Sequence, residues 1–183
     1  TVLYLKGNKS ENGPIGKWID FYARFGVDFV PLPSVNGKGV INHWQIRHYS
    51  AYIWLKNQAN PFDIIHASEW RGGAYYALLA KKQGIAFERT LFIIKASSPH
   101  IWNRLYMMQY IDNTNLLAVM YPEQMSIELA DLVIGGSAHL LSFMKHIGYS
   151  LPEGRTYVQP NVLEFDSSAI VDQREVVENG DRI

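Results

Sequence analysis

The chain alternates short apolar runs with longer segments of helical spacing along most of its length, and this constrains the fold more than any single motif. Val2-Leu3-Tyr4-Leu5 has the character of a buried strand, and Gly7-Asn8-Lys9-Ser10 is the polar loop leaving it. Ile15, Trp18, Ile19, Tyr22 and Phe25 recur at helical spacing, which predicts a helix over Gly16 to Phe25 closed by Gly26. Val27 to Val30 reads as the next strand, ended by Pro31 and Pro33, with Ser34 to Gly39 as a polar, glycine-rich loop. A long amphipathic helix over His43 to Gln58 stops at Asn60-Pro61, before the short strand Phe62 to His66. A helix over Gly73 to Gln83, the strand Thr90 to Lys95, and helical segments over Pro99 to Gln109 and Glu123 to Ala130 follow. Asp131 to Ile134 is a strand, Ser137 caps a helix over Ala138 to Ile147, and Arg155 to Val158 is a last short strand. Strands alternating with helices predict an α/β fold, a Rossmann-like three-layer arrangement of a parallel sheet covered on both faces.

A chain of 183 residues holds one such domain, here residues 1–163. The segment 164–183 changes character: Glu164, Asp166, Asp172, Glu175, Glu178 and Asp181 face only Arg174 and Arg182, with few large apolar side chains. It reads as a linker or outer segment. Lys+Arg and Asp+Glu both number 17, and no basic run interrupts that balance, which argues against a nucleic-acid partner. With no cysteine, disulfide scaffolds, thiolate zinc sites and thiol catalysis are excluded. The apolar runs are strand-length, short of the roughly 20 residues that span a bilayer. No charged-then-apolar leader opens the residues, and a cytoplasmic location is expected.

Two segments carry the candidate chemistry. In Asp63-Ile64-Ile65-His66-Ala67-Ser68-Glu69-Trp70-Arg71-Gly72-Gly73, a strand runs through a polar turn into a double glycine and a helix. Ligands of open α/β sheets bind at the carboxyl ends of strands. There Gly72 and Gly73 let backbone approach a ligand, His66 and Glu69 supply polar groups, and Trp70 supplies a face for a sugar. A tight strand-to-helix turn, with Glu69 at the favourable end of a helix dipole, accounts for the same residues. The second segment, Lys95-Ala96-Ser97-Ser98-Pro99-His100, again follows a strand and offers Lys95 and His100 to the same edge; a solvent-exposed helix-start histidine is the competing account. Ile134-Gly135-Gly136-Ser137 is best read as a turn and cap. No zinc-binding histidine pair, phosphate loop or serine-hydrolase elbow exists, and no metal or cofactor is expected.

The order of these pieces resembles the N-terminal domain of bacterial family 4 glycosyltransferases, which have the GT-B architecture of two Rossmann-like halves. The likeness rests on Phe62 to His66 running into Glu69-Trp70 and Gly72 to Lys81, then Thr90 to Trp102, Glu123 to Asp131, Ser137 and Tyr157-Val158-Gln159-Pro160-Asn161. It covers residues 62–162 well and the first 60 loosely. Ala130-Asp131-Leu132-Val133, Ser137 and Pro160-Asn161 are its most specific part.

The resemblance implies transfer of a hexose from a nucleotide-sugar donor to an acceptor hydroxyl. This chain would be the acceptor-binding half, and a C-terminal domain beyond it would hold the donor. It implies that Glu69 lines the cleft as the catalytic carboxylate orienting acceptor hydroxyls. His66, Trp70, Gly72, Gly73, Lys95, Ser97, His100 and Asn161 would bind substrate. Two departures stand out: the family's first strand and glycine-rich loop would precede Thr1, and Ser97 occupies the place of the family's histidine, with His100 as the possible substitute. Two alternatives stay open: a non-catalytic carbohydrate- or nucleotide-binding module, and half of a sugar-nucleotide epimerase.

Overall fold

The computed structural model describes residues 1–5, 14–32 and 43–162. The expected loops at Gly7 to Ser10 and Ser34 to Gly39, and the acidic segment 164–183, lie outside the described residues.

The elements follow the alternation. In chain order they are β1 (Val2–Tyr4), α1 (Ile15–Ala23), β2 (Phe29–Pro31), α2 (His43–Lys56) and β3 (Ile64–Ser68). A 3-10 turn at Trp70–Gly72 leads into α3 (Tyr75–Lys82), β4 (Leu91–Ala96), α4 (His100–Tyr106) and α5 (Thr114–Glu128). The chain then forms β5 (Leu132–Gly135), α6 (Ala138–His146) and β6 (Thr156–Val158). Every ladder is parallel: β1 pairs with β2, and β3-β4-β5-β6 form a second, four-stranded sheet flanked by helices. Leu3, Phe29, Ile64, Phe92, Ile94 and Val133, the residues expected in a parallel sheet, all lie in strands. Strands β3 and β4 are direct neighbours, with His66 opposite Ile93 and Ser68 opposite Lys95. This is the α/β, Rossmann-like arrangement.

The core forms where β4 alternates. Phe92, Ile94 and Ala96 turn inward, fully enclosed, against Ala77 and Leu78 of α3, Ile127 of α5 and Met144 of α6. Each enclosed large side chain is worth about 1.5–3 kcal/mol of transfer from water. Asp131 ties the start of β5 to β4, accepting from Phe92 N at 2.8 Å and pairing with Lys81 at 2.5 Å. Between β1 and β3 the two sheets do not join. A cavity of about 410 Å³ lies there, lined by Val2, Leu3 and Leu5 from one side and by Ile64 to Ser68 from the other.

One helix differs from expectation. The sequence predicts a helix only over Glu123 to Ala130, and proline ordinarily suits the first turn of a helix, where its missing N–H costs nothing. Instead α5 begins at Thr114, where the Asn113 side chain accepts from Leu116 N, and Pro122 sits inside it. Leu116, Val119, Pro122, Glu123, Ser126 and Ile127 make its buried face. Packing along that face outweighs the hydrogen bond that proline removes.

Candidate functional site

Loops after parallel strands emerge on one edge of a sheet, so the segments following β3 and β4 meet. Glu69 N extends the ladder by donating to Lys95 O at 3.1 Å, which brings the carboxylate beneath the β4 loop. Glu69 Oε1 accepts from Ser97 N at 2.7 Å, and Oε2 accepts from the Ser68 hydroxyl at 3.1 Å. Ser68 Oγ in turn accepts from Trp70 N at 3.1 Å and stands 3.5 Å from Ser97 Oγ. Two exposed serine hydroxyls are therefore set side by side over a carboxylate that is 0% exposed. Burial pushes the Glu69 carboxyl above the ordinary carboxylate value, against the pull of the Ser97 and Ser68 hydrogen bonds, and the nearby Glu123 charge adds to the rise.

Beside this pair the backbone turns left-handed twice in succession, at Arg71 (φ 62) and Gly72 (φ 69). A non-glycine residue in that region costs about 1–2 kcal/mol. Contacts on both its backbone and its side chain hold Arg71 there. Its N–H donates to Glu123 Oε1 at 2.7 Å, and its guanidinium lies 3.7 Å from the centre of the Trp44 ring. At Gly72 a Cβ would stand 2.3 Å from Pro122 Cβ and 2.6 Å from the Pro122 carbonyl carbon. Only glycine fits between the turn and α5.

Glu123, also 0% exposed, reaches from α5 to both loops. Besides Arg71 N, it accepts from His100 N through Oε2 at 2.9 Å and lies 2.5 Å from His100 Nδ1 through Oε1. This leaves His100 Nε2 as the ring nitrogen for a ligand. The His100 ring stacks on Trp70, centroids 4.1 Å apart and planes 19° apart. Trp70 is 38% exposed, so the stack presents an apolar face at the surface.

The structure thus gathers Glu69, Trp70, Gly72, Ser97 and His100 on one edge, with two corrections to their roles. Glu69 does not offer its carboxylate at a cleft: with 0% exposure it acts through Ser68 and Ser97, a consequence of being drawn under the β4 loop. Gly72 admits α5 rather than a ligand, because Pro122 occupies the space where its Cβ would lie. At Gly73, half-buried, a Cβ would stand 3.3 Å from Leu5 Cδ1. Lys95 and Asn161 form a separate pair, Lys95 Nζ donating to Asn161 Oδ1 at 2.6 Å. His66 is exposed and lines the cavity between β1 and β3, which Ser68, Trp70 and Gly73 also line. The Ser137 side chain caps α6 by accepting from Leu140 N at 3.1 Å, as a turn-and-cap unit requires.

Glu123 and Ser68 are the residues that sequence reasoning missed as site residues. A signal existed for the first: Glu123 is an acid within the buried stripe of α5. Among the described residues no group of three or more histidines, aspartates or glutamates could hold a metal ion, and no helix is long and apolar enough to cross a membrane. No protein-family model and no curated protein matches the chain.

Proposed function

We propose that the chain is the acceptor-binding half of a glycosyltransferase that moves a hexose from a nucleotide sugar to an acceptor hydroxyl. The observation that carries this reading is the exposed Trp70–His100 stack standing beside the paired hydroxyls of Ser68 and Ser97. An apolar face next to fixed hydroxyls suits a polyhydroxylated ring, whose C–H face stacks while its edge hydrogen-bonds. The Glu69 and Glu123 network holds that surface rigid, and rigidity is what positional catalysis requires. In this reading Glu69 is a positioning residue: it fixes Ser97 N and the Ser68 hydroxyl, and these meet the acceptor. His100, held at Nδ1 by Glu123, turns Nε2 toward the acceptor hydroxyl.

The cavity between β1 and β3 also supports the reading. A strand bonded to both edges would lie there and would join the two parallel sheets into one. The resemblance places such a strand, with its glycine-rich loop, ahead of the segment beginning at Thr1.

The test is sugar binding and transfer. Saturation-transfer NMR on the 183-residue chain is expected to show hexose protons receiving magnetisation from Trp70, and Trp70→Ala is expected to abolish it. The chain by itself is expected to transfer no sugar and to bind nucleotide sugars at millimolar Kd or weaker, about −4 kcal/mol. Micromolar nucleotide-sugar binding by calorimetry would favour a complete binding module instead.

A further inference from the structure

Next to the Trp70–His100 stack lies a second cleft, of about 460 Å³, whose lining includes His43, Trp44, His100, Arg104, Asn113 and Asn115 and no carboxylate. Its side chains come from α2, α4, α5 and the Asn113 cap, so it is a junction between elements rather than the end of one helix. Arg104, half-buried on α4, has no hydrogen-bond or ion-pair partner for its guanidinium among the described residues. His43 contacts the Trp44 ring, centroids 4.8 Å apart, and likewise has no acid beside it.

The surroundings are more positive still. Arg47 and Arg71 flank the Trp44 ring at 4.6 and 3.7 Å from its centre. Burial lowers the His43 pKa, and the two arginine charges lower it further. Asp112 adjoins the cleft and accepts from Asn113 Nδ2 at 2.8 Å, and Glu123 has both oxygens engaged by Arg71 N, His100 N and His100 Nδ1. Among the described residues no carboxylate lines the cleft, and Arg104 and His43 stand in it without an acidic partner. Half-buried cations without partners are costly, and proteins that keep them usually spend them on an anion.

We infer that this cleft holds the phosphate monoester of a phosphorylated sugar acceptor, with Arg104 and His43 as its principal donors. The Arg104 guanidinium from α4 and the His43 imidazole from α2 reach the cleft from separate elements. That arrangement matches a tetrahedral dianion better than a planar carboxylate, which is satisfied from one edge. Because His100 borders both the cleft and the stack with Trp70, the phosphate and the sugar ring of one ligand span the two. The cleft's volume is sufficient for the phosphate end of such a ligand. The role of the ligand as acceptor rests on the glycosyltransferase reading; its charge rests on the cleft.

The test is a titration of the isotope-labelled 183-residue chain with glucose 6-phosphate, glucose and inorganic phosphate, followed by NMR at backbone, guanidinium and imidazole positions. Glucose 6-phosphate is expected to bind about tenfold or more tightly than either other probe, with shifts at Arg104 and His43. Arg104→Gln is expected to remove most of that preference without changing the unfolding midpoint, and His43→Gln to weaken it. Equal affinity for glucose and glucose 6-phosphate, or a preference that survives both substitutions, overturns the inference. Equal affinity for inorganic phosphate shows an anion site with no sugar and overturns it too. Failure of the transferase reading looks different: phosphate-dependent sugar binding would persist while a longer chain carrying the donor half transferred no hexose.

Discussion

Glu69 and Glu123 are both fully enclosed at the same edge of the sheet, yet they are held in different ways. Glu69 hangs from the end of β3 and is satisfied by its neighbours on the edge, Ser68 and Ser97. Glu123 arrives from α5, on the far side of the turn, and collects two backbone N–H groups and a histidine from two separate loops. The first carboxylate arranges a surface; the second fastens that surface to the body of the protein. Arg71 and Gly72 show the consequence, since both left-handed conformations sit where Glu123 and Pro122 press on the turn. Strain of this kind persists only where the surroundings over-determine it.

If Glu123 is the fastening, its loss is the most damaging single change. Glu123→Ala leaves Arg71 N, His100 N and the His100 ring without their acceptor inside the protein. Removing one side of such a buried charged network costs about 3–5 kcal/mol, read by urea unfolding. Glu123→Gln keeps an acceptor oxygen and should fall between the two. A loss below about 1 kcal/mol for Glu123→Ala would make the two glutamates equivalent and dissolve the distinction. Gly72→Ala attacks the same junction through shape. Its Cβ meets Pro122 at 2.3 Å while φ stays at +69, so strain and overpacking together are expected to cost about 2–4 kcal/mol. Gly148→Ala is the control: φ is +96 there, but nothing lies within 4 Å, and only the backbone cost applies.

These two junctions also mark how far the sequence could be read. The strands were legible because each is a short apolar run, and the convergence of the β3 and β4 loops followed from parallel topology alone. The cap at Ser137 was legible because it is local. Glu123 was not, because its partner Arg71 is 52 positions away and no periodicity encodes that pairing. Gly72 looked like a ligand-facing glycine for the same reason: the atom that excludes its side chain belongs to Pro122, on another element. The early start of α5 was not legible because Pro122 lies in its interior, on a buried face that packing holds helical. Local chemistry is written locally, whereas the fastening of one loop to a distant helix appears only when the chain is folded.

The next effect in size comes from a buried group with no acid to help it. His48 is 2% exposed, its Nδ1 has no hydrogen-bond partner, and burial followed by the Arg47 charge lowers its pKa to about 4. The unfolded chain therefore binds a proton that the folded one refuses between pH 6.5 and about 4. Stability is complete above 6.5 and falls by about 3 kcal/mol as the pH drops through that window. Unfolding free energies measured across it should show the fall, and His48→Phe should flatten it. An unchanged slope in the variant would place the acid sensitivity elsewhere.

Glu69 is expected to act in the opposite direction and more weakly. Its folded carboxyl is raised above the ordinary value of 4.5, so between that value and the folded one the native state holds a proton that the unfolded chain has released. By linkage, its contribution is fullest below 4.5 and is lost as the pH rises through the folded pKa, whereas the His48 contribution is lost on acidification. Glu69→Gln should cost little in itself, about 1 kcal/mol or less, because the amide oxygen can still accept from Ser97 N. Its diagnostic is the slope. As the pH rises above 4.5, the stability difference between Glu69→Gln and the parent chain should move in favour of the variant. Under the proposed glycosyltransferase reading, the same substitution in a longer chain carrying a donor half should lower transfer several-fold through the Ser68–Ser97 pair while leaving nucleotide affinity unchanged. A flat difference would mean that the Ser97 and Ser68 hydrogen bonds outweigh burial, and that Glu69 stays charged like a partner of Glu123 rather than its contrast. Transfer unchanged in Glu69→Gln would remove the positioning role even if the slope behaved as expected, because the serine pair would then stand without it.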